Sequence, residues 1–283
     1  MPLQEKHRIL ITGANSYFGR RLYKEFSDKG HHLVGTFAHN NADNLNLRKL
    51  DVTKQEQLFD LITKIKPQII VHNAANPGFI WNENNPIEAK LLNETAPIMI
   101  ADIARKFNIK LIFISACLTD NPTDRYAIAK KNAEEYIRRL DGLIYNIIRP
   151  NRMIGCSPNT TSPRYFNNIL RMLYGKDVFQ FDNVASFQPT YIRHPIEVML
   201  MLIDNNMYGN TIYVAVPEQK TEYEIARDIL NHFNVKVGTK PVLAGQNSNP
   251  TLTGDLRPLN DLGLPEYTYP QILDATIKEI KQT

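Results

Sequence analysis

Short apolar runs alternate along the first half of the chain with segments whose apolar residues recur every three or four positions. RILIT (8–12) reads as a buried strand, and FGRRLYKEFSDKG (18–30) as a helix with Leu22 and Phe26 on one face and Gly30 as its stop. HLVGTF (32–37) and LRKLDV (47–52) read as two further strands. The segment 53–67 opens with a capping-box pattern, Thr53 then Glu56, and ends before Pro67. QIIVHNAA (68–75) is a strand that breaks into a loop, 86–108 a long helix, IKLIFISA (109–116) a strand, 124–140 a helix and GLIYNIIRP (142–150) a strand. Six strands separated by helices predict parallel βαβ units and an α/β, doubly wound Rossmann-type sheet.

After Pro150 the pattern loosens. Helices are predicted near 165–175 and 195–205, a strand over 210–217, a capped helix over 221–233, a Gly-, Pro- and Asn-rich stretch over 238–263, and a last helix from about Tyr269 to Ile280. This divides the chain into a dinucleotide-binding domain, 1–155, and a smaller substrate lobe, 156–283, with segments interleaved between them.

Composition narrows the function classes. Of 283 residues, 43% are hydrophobic and 22% charged, an ordinary globular balance. The net charge of +4 comes without a dense basic run, which argues against nucleic-acid binding. Cys117 and Cys156 make neither a disulfide framework nor a metal site, and the histidines lack metal-ligand spacing. The charged start MPLQEKHR has no apolar core of a signal peptide, and no apolar stretch approaches a bilayer span, so a cytoplasmic location is expected.

Candidate chemistry begins at GANSYFG (13–19), between the first strand and the first helix. A helix N-terminus there offers backbone N–H groups and a positive dipole end to a pyrophosphate. Gly13 permits a tight turn and Gly19 close packing of helix on strand, while Ser16 stands at a position often taken by glycine. Tyr126 and Lys130 form a Tyr-x-x-x-Lys pair, one helical turn apart and on one face. A nearby ammonium stabilises phenolate and lowers the pKa of a tyrosine from its free value near ~10.

Together these motifs resemble the extended short-chain dehydrogenase/reductase family, which includes NAD-dependent epimerases and dehydratases. The match runs through the glycine loop, LDV (50–52), HNAAN (72–76), NETAP (93–97), YAIAK (126–130) and IIRPNRMIG (147–155). It is nearest to the dTDP-4-dehydrorhamnose reductase branch, through KIKPQIIVHNAAN and NNPIEAKLLNETAP. The resemblance implies that Gly13, Asn15, Ser16, Tyr17, Phe18, Gly19, Asp51, Val52, Asn73, Ala74, Ala75, Asn93, Tyr126 and Lys130 surround a dinucleotide. It assigns Asp51 to the adenine and makes Asn93 a brace for the central helix. It makes Tyr126, Lys130 and a hydroxyl the catalytic set. The family hydroxyl falls on Ala116, leaving Ser115, or Thr119 after a local bend, as the nearest substitutes. Only nine residues (117–125) separate Ala116 from Tyr126, shorter than in the sugar-nucleotide reductases.

Either NADP or NAD is the implied cofactor. Phe37 rather than an acid ends the second strand, and Arg20, Arg21 and His39 lie nearby, which tilts the choice to NADP. Arg164, Tyr165, Asn168, Arg257 and Trp81 are candidates for a nucleotide-sugar site. Three functions stay open: an NAD(P)-dependent reductase or epimerase of nucleotide-sugars, a regulatory protein that keeps the cofactor fold without turnover, or a reductase of a non-sugar carbonyl whose pocket the short loop opens. The family also implies a homodimer that pairs the helices at 86–108 and 124–140.

Overall fold

The computed structural model describes residues 5–39, 47–120, 122–235 and 253–282. In chain order, β1 (Arg8–Thr12) leads into α1 (Tyr17–Asp28), β2 (His32–Phe37), β3 (Arg48–Lys49), α2 (Gln55–Ile65) and β4 (Ile69–His72). Then come α3 (Phe79–Asn84), α4 (Pro86–Lys90), a π-helical turn (Leu91–Thr95) and α5 (Ala96–Lys106). β5 (Lys110–Ile114), a 3-10 turn (Cys117–Thr119), α6 (Arg125–Arg139) and β6 (Tyr145–Pro150) follow. The remainder holds β7 (Met153–Ile154), α7 (Tyr165–Leu173), β8 (Ser186–Phe187), β9 (Thr190–Tyr191), α8 (His194–Asp204) and β10 (Asn210–Val214). It closes with β11 (Lys220–Thr221), α9 (Glu222–His232), α10 (Arg257–Asp261) and α11 (Tyr269–Lys281).

Seven strands form one sheet in the order β10-β6-β5-β4-β1-β2-β3, and β1, β2, β3, β4, β5 and β6 pair in parallel. This is the doubly wound Rossmann-type architecture read from the sequence. Helices cover the sheet, so its central strands need apolar side chains in continuous runs; Ile9, Leu10 and Ile11 are at most 1% exposed. One core layer sets Leu10, Ile70, Phe113 and Ile147 of the strands against Leu58 and Ile62 of α2, Ile100 and Ala104 of α5, and Ala133 and Ile137 of α6. Each fully buried large side chain contributes about 1.5–3 kcal/mol to this packing.

Several expectations are corrected. The third strand is two residues, not six. The capping box at Thr53 and Glu56 does not form: the N-cap of α2 is Lys54, with no side-chain bond, because Asp51 Oδ1 already accepts from both the N–H and the hydroxyl of Thr53. The helix 86–108 is three consecutive helical pieces with a π turn in the middle. The first helix begins at Tyr17. Short α3 had no signal in the pattern of apolar positions. By contrast, α9 carries the capping box of Thr221 and Glu224. Most of the 238–263 stretch lies outside the described residues.

The chain divides into two compact units, Met1–Arg149 with Val198–Ile212, and Pro150–Glu197 with Tyr213–Thr283. Within the second, β7 pairs with β9 in parallel and β11 with β8 antiparallel. Among the described residues no helix is long and apolar enough to cross a membrane.

Candidate active site

In the first unit the sheet order reverses between β1 and β4, and doubly wound sheets bind ligands at the C-terminal strand ends beside such a reversal. The glycine loop follows β1 and the Asn73 loop follows β4. Thr12, last in β1, fastens the two. Its hydroxyl oxygen accepts from the N–H groups of Asn73 and Ala74, each at 3.1 Å, and lies 2.8 Å from His72 Nδ1. With both lone pairs taken, the Thr12 proton goes to Nδ1, which fixes the other tautomer of a neutral imidazole. Burial, then the Lys130 charge, holds the His72 pKa well below its ordinary value.

The glycine loop tolerates Ser16 for a visible reason. Ser16 caps α1, its hydroxyl accepting the Gly19 N–H at 3.0 Å, and Asn73 Nδ2 donates to the same oxygen and to the Gly13 carbonyl. Both glycines are obligatory. Gly13 has φ +64°, and a Cβ there would stand 2.9 Å from Ala74 Cα. A Cβ on Gly19 would stand 2.1 Å from the Gly13 carbonyl oxygen. The N–H of Phe18, in the first helical turn, is one that the helix itself cannot satisfy, which suits a phosphate oxygen. Tyr17 and Phe18 are buried, and Asn15 Nδ2 donates to the His39 carbonyl, tying the loop to the end of β2.

Past β3, Val52 is buried. Burial pushes the Asp51 carboxyl up, but its bonds from Thr53 outweigh that and hold the pKa low. Arg21 is paired with Glu25 at 2.9 Å, and Arg20 is buried.

Tyr126 and Lys130 both lie on the buried face of α6, and the Lys130 ammonium is 5.9 Å from the Tyr126 ring centroid. Lys130 is 1% exposed; its Nζ donates to the Ile114 carbonyl at 2.9 Å and stands 4.4 Å over the Phe113 ring. Burial, partly offset by Glu134, pushes its pKa down to about 7. One turn further on, Glu134 is completely buried. Arg149 Nε and Nη2 both bond its carboxylate, Arg138 adds a third cationic donor, and Arg149 Nη1 reaches Asp120 at 2.7 Å. Ser115, just past β5, is buried, and its hydroxyl makes no hydrogen bond among the described residues. Ala116 is extended and caps the 3-10 turn, and Thr119 donates its hydroxyl proton to the Ala116 carbonyl at 3.1 Å. The bend considered for ACLTD therefore exists, but it turns the Thr119 proton inward.

Asn93 sits in the π turn, fully buried. It accepts from the Asn76 N–H through Oδ1 and donates to the Asn76 carbonyl and to Asn82 Oδ1. Its partners are thus the loop after β4 and α3. π turns recur where a helix must aim one side chain at a site.

These loops and this helix face are the parts of a known family. Residues 7–258 match the RmlD substrate-binding domain. The chain belongs to that family. Methionine adenosyltransferase 2 subunit beta of Xenopus laevis is 26% identical over 249 residues, covering 81% of this chain and 72% of that protein. A dTDP-4-dehydrorhamnose reductase of Aggregatibacter actinomycetemcomitans is 24% identical over 217 residues, 72% of this chain and 70% of that one. The crystal structure of dTDP-4-dehydrorhamnose reductase from Bacillus anthracis, in complex with NADP, superposes with TM-score 0.82 at 20% identity, covering 99% of each chain.

For this RmlD-family chain, the sequence brought the glycine loop, the Asn73 loop, Tyr126 and Lys130 into view. It missed Thr12, His72, Asn76, Asn82, Glu134 and Arg149. Glu134 had a usable signal, since it follows Lys130 by four on the apolar face of α6. The asparagines lie in runs that read as loop. In the second unit, Arg257 is held by Asp255 through three bonds, so its charge is already matched. Arg164 is the N-cap residue of α7.

Proposed function

We propose that this protein is a cytoplasmic nicotinamide-dependent oxidoreductase acting on a nucleotide-sugar, as a keto-sugar reductase or epimerase. The supporting observation is that α6 carries Tyr126 and Lys130 at the same strand ends as the glycine loop, beside the reversal in sheet order. Gly13, Asn15, Ser16, Tyr17, Phe18 and Gly19 hold the pyrophosphate. Asp51 and Val52 flank the adenine, and Asn73, Ala74 and Ala75 line the middle, with Asn93 bracing them through Asn76. NADP is favoured over NAD, because β2 ends without an acid. When bound, the nicotinamide supplies or accepts a hydride at a sugar carbon. Tyr126 donates the proton to the carbonyl oxygen, or removes it in the reverse direction. Lys130 lowers the cost of the phenolate. Ser115, buried just past β5, is the nearest substitute for the missing carbonyl donor. Exposed Ile87, Leu91 and Ile128 on the helices named above support a homodimer. The test is NADPH oxidation with dTDP-4-keto-6-deoxy sugars. Turnover that Tyr126→Phe abolishes supports the reading; no turnover with any keto-sugar nucleotide defeats it.

One observation favours a second reading, a cofactor-binding regulatory subunit. Ala116 stands where a hydroxyl is needed, and Thr119 has given its only proton to the Ala116 carbonyl. The likeness to a subunit beta of methionine adenosyltransferase supports the same reading. Calorimetric NADPH binding without turnover is its expected signature.

A further inference from the structure

We infer that α3 is a strut coupling the cofactor loop after β4 to the Tyr126 end of α6, with Glu83 as the positioning residue at the α6 end. The inference deepens the cofactor-dependent reading above and rests on it.

A six-residue helix does not hold itself in place, and α3 is not seated by apolar burial: Phe79 is 48% and Ile80 73% exposed. Polar ties from two adjacent residues, Asn82 and Glu83, fix it instead. Buried Asn82 donates to the Asn76 carbonyl at 2.9 Å and to the Gly78 carbonyl at 2.8 Å, and accepts from Asn93 at 2.9 Å. Asn76 is three residues beyond Asn73, which grips the glycine loop. The next residue, Glu83, turns to α6: its Oε2 accepts from Arg125 Nε at 2.9 Å, and Oε1 lies 3.4 Å from the Arg125 backbone nitrogen. Arg125 immediately precedes Tyr126. The first turn of α6 contains no acid of its own beyond its N-cap, Asp124. Glu83 thus brings a negative charge from another element to a helix N-terminus, where it is favourable. The route from Asn73 along the chain to Asn76, by a hydrogen bond to Asn82, along the chain to Glu83 and by its ion pair to Arg125 is physically contiguous, the basis for coupling between sites. An exposed ion pair adds little to stability, so Glu83→Gln leaves global stability almost unchanged.

The experiment combines NADPH titration, read by emission of Trp81, the chain's one tryptophan, with hydrogen exchange over residues 122–129. In the wild type, NADPH is expected to slow exchange there by about five-fold or more; Glu83→Gln should bind NADPH within about two-fold of the wild type yet lose that protection. Retained protection in Glu83→Gln, or wild-type binding without protection, overturns the strut while leaving the cofactor reading intact. Failure of the wild type to bind NADPH or NADH overturns the cofactor reading itself. The strut is also read without cofactor: Asn82→Ala should speed exchange at both 73–78 and 122–129, and an unchanged 122–129 refutes it.

Discussion

The Lys130 ammonium is 2.9 Å from the Ile114 carbonyl oxygen, sealed from solvent between α6 and β5. One neutral acceptor and an aromatic face replace the water that an ammonium holds when exposed, and burial lowers its pKa to about 7. The native state therefore sheds this proton while the unfolded chain keeps it, between about pH 7 and the ordinary value of 10.5. Stability from this group rises with pH through that window and is lost as pH falls toward 7. The wild type should gain stability relative to Lys130→Met, by a few kcal/mol at most, between those limits. Urea denaturation of both proteins near pH 7 and near pH 10.5 measures the difference. Glu134 and His72, which interact with the Lys130 charge, and Tyr126, whose ring it faces, are present in both proteins.

Gly19 has no room for a methyl group, because the Gly13 carbonyl occupies the position. Gly19→Ala must open the first turn, with an overpacking cost of about 1–3 kcal/mol. Loss of NADPH binding should exceed what that destabilisation alone produces, since the same shift moves the N–H groups proposed to hold the phosphate. Thermal denaturation and an NADPH titration on one preparation separate the two effects.

Glu134 carries the charge that neutralises Arg149 and Arg138 in the interior of the first unit. Removing it in Glu134→Ala leaves Arg149 largely buried with only Asp120, a loss of about 3–5 kcal/mol. Burial raises the Glu134 carboxyl, but the Arg149 bonds and charge outweigh it and hold the pKa below the usual 4.5. Its contribution is complete above that ordinary value and disappears as pH falls through the depressed one. Acid denaturation followed by circular dichroism should show the wild-type transition sharpened by this group and the Glu134→Gln transition shifted to higher pH.

Ala116 lies at the start of the turn that leads to α6, in extended conformation. Ala116→Ser adds a hydroxyl without changing the backbone. Removal of a single donor to a developing oxyanion costs ~10²–10³ in rate, so its addition should raise keto-sugar turnover by up to ~10²-fold. NADPH affinity should be unaffected. Steady-state rates with a keto-sugar nucleotide, compared with calorimetric affinity, give both numbers.

Local patterns carried most of the fold. Continuous apolar runs at 8–12, 68–75 and 109–116 could only be strands covered on both faces, and the helices between them made the sheet parallel. Gly13 and Gly19 were legible because a glycine's value is local, a backbone angle or a missing methyl. Tyr126 and Lys130 were legible because helical spacing puts them on one face. Element ends were less so: Asp51 took Thr53 for itself, and a capping box that reads well in sequence did not form.

By itself, then, the sequence determined the alternation of strand and helix, the glycine turn and the shared face of Tyr126 and Lys130, because each depends on residues within a turn or two of one another. The tertiary structure decided what these parts are fastened to. Thr12 meets Asn73 across 61 positions, Asn93 meets Asn76 across 17, and Glu83 meets Arg125 across 42. Such partners have no sequence period. The buried ones, at Thr12 and Asn93, are selected because polar groups cut off from water must find donors and acceptors on whatever segment folding brings beside them; the exposed Glu83–Arg125 pair forms where folding sets opposite charges side by side.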